Sequence, residues 1–466
     1  MSCHEACRSG SRCGTSASNL GITGLGNLPV ARAGLGMVAK KNRTGRGTMR
    51  IMRRSLLFGR LLGMALSPSL VLALGGTPRA QGEANVLSVG IISPLTGASA
   101  EDAELLKDGA VLAIEEQNAK GGIAGYRIEG IILNDASATT GDFDPALAAT
   151  LTKKLIANSN VVGIVGPKNS GSGKAMSAIL SEADLATITG SATNPDITDP
   201  KFATQFRPKG RAVFFRTVST DAYQAPEAAN FFAEKLHVKS AYIVDDGGAF
   251  GVGVANAFEK RAAEKGIKIL GREQINPKEA DYTTLLTKIK SSGPELLYYT
   301  GDQQAGSNLA KQAYTIIPKL IKGGTDALLG GSFLKGAAFP SVEGWYTTVA
   351  APHLLDNPEV QPWVSRFVKR WGKQPFDYSI CTYDAALVIF DAISRVVKSG
   401  KPVNRHTVRD AIQTTHLKTM QGVISFDANG DLVNKVITVF QVVHNAKYPD
   451  DDSLHQFKYV GVAPEN

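Results

Sequence analysis

Cysteine is scarce where it would count. Of four in 466 residues, Cys3, Cys7 and Cys13 crowd the extreme N-terminus, leaving Cys381 alone in the body of the chain. A single thiol excludes an internal disulfide framework, even in an oxidising compartment. Its neighbours Ile380 and Tyr383 predict a buried structural thiol. Histidine is also sparse: beyond His4, the residues His237, His353, His406, His416, His444 and His455 lack the i, i+4 pairing of a helix-borne zinc site. The Cys3, Cys7, Cys13 and His4 grouping has ligand chemistry but lies in an upstream extension, so no metal site is assigned.

A basic body is missing too. Twelve of the 51 Lys and Arg, but only Glu5 of the 42 acids, fall within residues 1–80, so the net charge of +9 belongs to the leader. Residues 81–466 are slightly acidic, which excludes the electrostatic footprint of a nucleic-acid or anionic-membrane binder. There is no G-x-S-x-G elbow, no recognisable catalytic carboxylate pair and no metal motif. No catalytic residue and no cofactor is therefore assigned, and the chain is not read as an enzyme.

The leader has a definite pattern. Residues 1–48 read as an upstream extension or a mis-chosen start, and Met49-Arg50-Ile51-Met52-Arg53-Arg54 is a charged n-region. The apolar run LLFGRLLGMALSPSLVLALGG comes next, so residues 49–80 form an expected signal peptide, cleaved after Ala80 or near Ala73-Leu74-Gly75. Arg60 and Pro68 interrupt that run and disfavour a retained membrane anchor. Export to the periplasm is the expectation.

The most informative stretch is VVGIVGPKNSGSGKAMSAILSEADLATITGSATNP, residues 161–195. Two apolar strands each run into a hydroxyl-rich turn, with one helix between them. In a parallel sheet both turns lie at the carboxyl ends of neighbouring strands, where helix N-termini offer free N–H groups and partial positive charge. Such a place suits a small carboxylate. It does not suit a nucleotide. GSGK resembles a phosphate loop, but the required earlier glycine is Lys168 and the hydroxyl after the lysine is Ala175.

From Asn85 on, short β-rich runs alternate with amphipathic helices: VLSVGIIS, then the helix 104–122 stopped by Gly121-Gly122, then RIEGIILND, ALAATLTKKLIAN, VVGIVG, AMSAILSEA and ATITG. FFRTVSTDAYQAP reads as a crossing, after which PEAANFFAEKL, SAYIVDD, VGVANAFEKRAAEKG, IKILGREQI, TTLLTKIKSS, ELLYYTG, AGSNLAKQAYTI and LIKGG repeat the plan. The fold class is α/β, with parallel strands joined through helices. Two modules of similar length predict two lobes with a cleft between them, the later segments completing both.

Taken in order, VGIISPLTG, DGAVLAIEEQNAKGGIAG, ILND, GIVGPKNSGSG, ITGSATNP, FRTVSTDAYQA, YIVDDGGAFGVG, LLYYTG, CTYDAALVI and GVISFDANGDL resemble the leucine/isoleucine/valine-binding type of periplasmic solute-binding protein that serves ABC transporters. The resemblance runs from residue 86 to about 445. It implies two Rossmann-like lobes joined by three hinge crossings, with 86–220 and 335–430 in lobe 1 and 221–334 and 431–466 in lobe 2. It implies a small-molecule ligand, an inner-membrane ABC permease as partner and a monomer. Ser170 matches the family's carboxylate-binding serine, Ser191 and Thr193 its second turn, Phe250 its second-lobe aromatic, and Asp326 its ammonium-binding acid, although Thr325 interrupts the usual glycine-glycine-acid pattern.

Two departures from the family bear on the ligand. Asp102 stands where an aromatic residue is common, and Asp302-Gln303-Gln304 replaces a loop that often offers tyrosine. These predict a more polar pocket and a polar amino acid, amide or small organic acid rather than a branched aliphatic one. The alternative function is a sensor of the same fold that reports ligand occupancy to a membrane kinase or chemoreceptor.

Overall fold

The computed structural model describes residues 85–139 and 141–465, so the expected signal peptide, the upstream extension and its cysteines lie outside the described residues. Among the described residues no helix is long and apolar enough to cross a membrane.

The first sheet is built from β1 (Asn85–Ser93), β2 (Tyr126–Asn134), β3 (Val161–Val165), β4 (Thr187–Thr189) and β5 (Phe214–Arg216). Its order is β2-β1-β3-β4-β5, every pair parallel. The helices α1 (Ala100–Ala119), α2 (Pro145–Ala157), α3 (Ser170–Ala183) and the short α4 (Ala203–Phe206) connect these strands. β3 is buried on both faces, which is why it reads as an unbroken apolar run rather than an alternating one. Asp144 caps α2 by accepting from the N–H groups of Ala146 and Leu147, with Pro145 supplying the first helical residue.

The chain then forms α5 (Asp221–Glu234), β6 (Ser240–Asp245), α6 (Ala249–Glu264), β7 (Lys268–Gln274), α7 (Thr283–Ser292), β8 (Leu296–Thr300), α8 (Gln303–Ile316), β9 (Ile321–Gly324), α9 (Gly331–Ala337) and β10 (Tyr346–Val349). It returns to the first lobe as α10 (Gln361–Trp371), α11 (Asp377–Lys398), α12 (Arg405–Gln413) and the hairpin of β11 (His416–Thr419) and β12 (Gly422–Ser425). β13 (Thr438–Val442), α13 (Ser453–Gln456) and β14 (Phe457–Val462) end the chain. The second sheet runs β14-β13-β10-β9-β8-β6-β7. It is parallel except that β13 pairs antiparallel with both β10 and β14.

Sheet pairing corrects one expected boundary. The resemblance puts residues 335 onward in lobe 1, yet Tyr346 and Thr347 pair with Gly323 and Gly324 of β9, so α9 and β10 stay with the second sheet. The return crossing falls between β10 and α10. α5 also starts earlier than the sequence pattern indicates, at Asp221, and carries Pro226 inside it. Cys381 is buried in α11, where burial pushes its thiol well above its usual range.

Candidate functional site

The two turns after β3 and β4 are laced together by hydroxyls. Gly166 takes a positive φ of 112°, and a Cβ there would lie 2.4 Å from the carbonyl oxygen of Ile92, so only glycine fits. The Thr189 hydroxyl donates to the Pro167 carbonyl at 2.7 Å and accepts from the N–H groups of Ser191 and Ala192. Ser191 Oγ donates to the Lys168 carbonyl at 3.0 Å, and Ser170 Oγ accepts from Asn194 N–H at 3.2 Å. Ser170 opens the 14-residue helix α3, whose free N–H groups and dipole favour negative charge. Thr193, fully buried, has no hydrogen bond of ordinary geometry at Oγ1.

From the second lobe come Phe250, in the first turn of α6, Asp302, immediately before α8, and Asp326, just after β9. Both oxygens of Asp326 are occupied: Gln224 Nε2 donates to Oδ1 at 2.9 Å and the Tyr378 hydroxyl to Oδ2 at 2.7 Å. Burial raises its pKa, against the pull of Tyr378, Gln224 and Lys168. Asp221 is buried behind it, and burial followed by repulsion from Asp326 pushes that carboxyl well above its usual range, with the nearby Thr193 hydroxyl opposing.

Hydrogen bonds join the lobes around this site. Gln303 Nε2 donates to Asp102 Oδ2 at 3.1 Å, Asn169 Nδ2 to Asp302 Oδ1 at 3.3 Å, and Asn194 Nδ2 to the Ala249 carbonyl at 2.7 Å. The cleft is therefore closed. Burial pushes Asp102 up to about 6, with Lys168 opposing. Asp302 is raised well above its usual range by burial and then by Asp246 and Asp142, again with Lys168 opposing.

The structure brings Asp102, Ser170, Ser191, Thr193, Phe250, Asp302 and Asp326 together in the lining of one cavity, with about 590 Å³ of unfilled space including its mouth. Sequence reasoning missed Lys168, Asn169, Phe143, Phe376 and Tyr378, which also line the cavity. Lys168 and Asn169 directly precede Ser170, and that adjacency was the available signal. Phe376 and Tyr378 arrive at the start of α11, after the chain has returned to the first lobe, and carry no local signal. Two expectations change in detail. The sequence suggests that Asp102 and Asp302 offer polarity to a ligand, but Asp302 spends one oxygen and Asp102 both on the opposite lobe, the second of these at 3.5 Å to the Ser332 N–H. Gln304 is exposed and outside the lining. The assembled chemistry is that of recognition: hydroxyls, a helix N-terminus and Asp102 on one wall, Asp302 and Asp326 on the other.

Comparison with known proteins agrees with this architecture. The family model described as periplasmic binding protein matches residues 86–447. The leucine-, isoleucine-, valine-, threonine- and alanine-binding protein of Pseudomonas aeruginosa is 27% identical over 79% of this chain and 93% of its own length. A Leu/Ile/Val-binding protein of Rhizobium johnstonii is 30% identical over 81% of this chain and 96% of its own. An R. palustris ABC-transporter solute-binding protein, solved in complex with benzoate, shares the fold with a TM-score of 0.67 and 22% identity, over 82% of this chain and 98% of that one.

Proposed function

The chain belongs to the periplasmic binding protein family, and from that premise we propose that it is the solute receptor of an ABC transporter. It captures an amino acid or a related small carboxylate or amide between its lobes by hinge closure and delivers it to an inner-membrane permease. It does so in the periplasm, as a monomer and without catalysis. The observation that carries this reading is the convergence of Ser170, Ser191 and Thr193 from one lobe and Phe250 and Asp326 from the other on a single closed cavity. A ligand carboxylate seated against Ser170 and the α3 N-terminus gains charge-assisted hydrogen bonds in a water-poor space. An α-ammonium group at Asp326 balances it.

The names of the relatives support an amino-acid ligand, and the benzoate complex of the fold neighbour shows that the architecture also holds other carboxylates. The test is a thermal-shift screen of the protein, refolded to strip carried-over ligand, against amino acids, amides and small organic acids. A ligand at about 100 times its dissociation constant stabilises the fold by about 2.7 kcal/mol. A selective hit supports the receptor reading, and a folded sample that responds to nothing in the panel overturns it.

A further inference from the structure

The cavity is rich in hydrogen-bond acceptors and short of donors. Three carboxyls line it, those of Asp102, Asp302 and Asp326, against a single cation among the described lining residues, Lys168. The buried polar atoms left without partners around it run the same way. Asn169, 8% exposed, spends its Nδ2 on Asp302, and that orientation leaves Oδ1 with no donor. Gln224, fully buried, spends Nε2 on Asp326 and Thr348, leaving Oε1 unmatched. Behind the lining both carboxyl oxygens of Asp221 lack a partner of ordinary geometry and are faced by the Thr193 hydroxyl, which can donate. Flipping the Gln224 amide would set its carbonyl oxygen against the Thr348 carbonyl, so its unmatched acceptor is built into the site.

Buried acceptors and carboxyls without donors are costly, and a cation with several N–H groups removes that cost. A neutral aliphatic amino acid brings one ammonium group, which Asp326 already answers. Asp102 already accepts from Gln303 Nε2 and, at 3.5 Å, from the Ser332 N–H, so the carboxyl still open to a second cation is that of Asp302, which accepts from Asn169 and has Lys168 as the cation in the lining. Resting on the receptor reading, we propose that the ligand is a basic amino acid, carrying a side-chain ammonium or guanidinium in addition to its α-amino and α-carboxyl groups. The α-carboxylate goes to Ser170, the α-ammonium to Asp326, and the second cation to the side of the cavity bounded by Asp302, Asp102 and the Asn169 carbonyl. Phe143, Phe250 and Phe376 line the same cavity and give the aliphatic stem an apolar wall. The upward shifts of Asp102 and Asp302 fit a site awaiting positive charge.

Titration calorimetry of the stripped, refolded protein with L-lysine, L-arginine, L-glutamine, L-leucine, L-glutamate and benzoate tests this. The expected result is that L-lysine or L-arginine binds at least about tenfold tighter than the others. Preferential binding of a neutral amino acid, glutamate or benzoate overturns this inference and leaves the receptor reading standing. A folded sample that binds none of the six and is silent across the wider panel overturns both. Asp302→Asn separates charge from closure: a weakened lobe contact lowers all affinities together, whereas a role in cation recognition lowers the ratio of L-lysine to L-glutamine affinity by about tenfold. An unchanged ratio overturns the proposal.

Discussion

Gln303 Nε2 donates to Asp102 Oδ2 at 3.1 Å across 201 residues of sequence, joining the first turn of α1 in one lobe to the start of α8 in the other. Asp102 is 2% exposed, and its Oδ1 lies 2.5 Å from where a Cβ on Gly330 would stand. Closure of the cleft thus buries a carboxyl that water would otherwise solvate.

The burial of Asp102 sets a pH dependence. Below about pH 4 the carboxyl is protonated in both folded and unfolded chains and costs nothing. As pH rises the unfolded chain ionises first, and the cost grows until the folded group ionises near 6. Asp102→Asn keeps an acceptor for Gln303 and removes that cost, so it stabilises the closed form of the protein by about 2 to 3 kcal/mol at neutral pH. Urea unfolding at several pH values should show the gap closing toward pH 4. A gap that does not change with pH contradicts the assignment.

Ser170 reaches its role through its position and its hydroxyl. The Oγ holds Asn194 N–H and faces the cavity, so Ser170→Ala weakens ligand binding by about 1 to 3 kcal/mol. Calorimetry with whichever ligand the screen returns measures the loss, and an unaltered affinity would remove Ser170 from the site.

Arg216, fully buried, ties the second binding turn to a hinge. Its Nε donates to the Ala192 carbonyl at 3.0 Å, its Nη1 to Thr198 Oγ1 at 2.7 Å and to Asp431, and its Nη2 to the Asn194 carbonyl. Arg216→Met fills similar volume but leaves Asp431 with the Thr198 hydroxyl and no cation, and strands the Ala192 and Asn194 carbonyls. The expected loss is about 3 kcal/mol, the low end for a broken buried pair because Asp431 keeps some water. Denaturant unfolding reads it, and a loss under about 1 kcal/mol would show the network to be dispensable.

Gly109 sits where α1 packs tightly against α11. A Cβ there would fall 2.1 Å from the backbone carbonyl oxygen of Ser379, so the helices must separate to admit it. Gly109→Ala is expected to destabilise the first lobe by about 1 to 3 kcal/mol despite alanine's better helix propensity. Equal or greater stability in urea would mean that the helix pair yields without cost.

Much of this was written locally. β3, its turn and α3 follow from an apolar run, a glycine that no other residue can replace and helical spacing, all within a few residues of one another. The amphipathic pattern of α10, with Trp363, Val364 and Phe367 buried and Lys369 and Arg370 near its end, was equally legible but went unread. The order of motifs placed all seven candidate residues in one cavity. It could not say what each would touch there.

Backbone preferences and apolar spacing over a few residues are enough to set the alternation of strands and helices, the buried parallel core and the turns that present Ser170, Ser191 and Thr193. Tertiary structure alone decided that Asp102 and Asp302 bond across the cleft, that Tyr378 and Gln224 share Asp326, and that β10 stays with the second sheet. Those outcomes rest on partners far apart in the chain, and only the folded path determines which donors reach which buried acceptors.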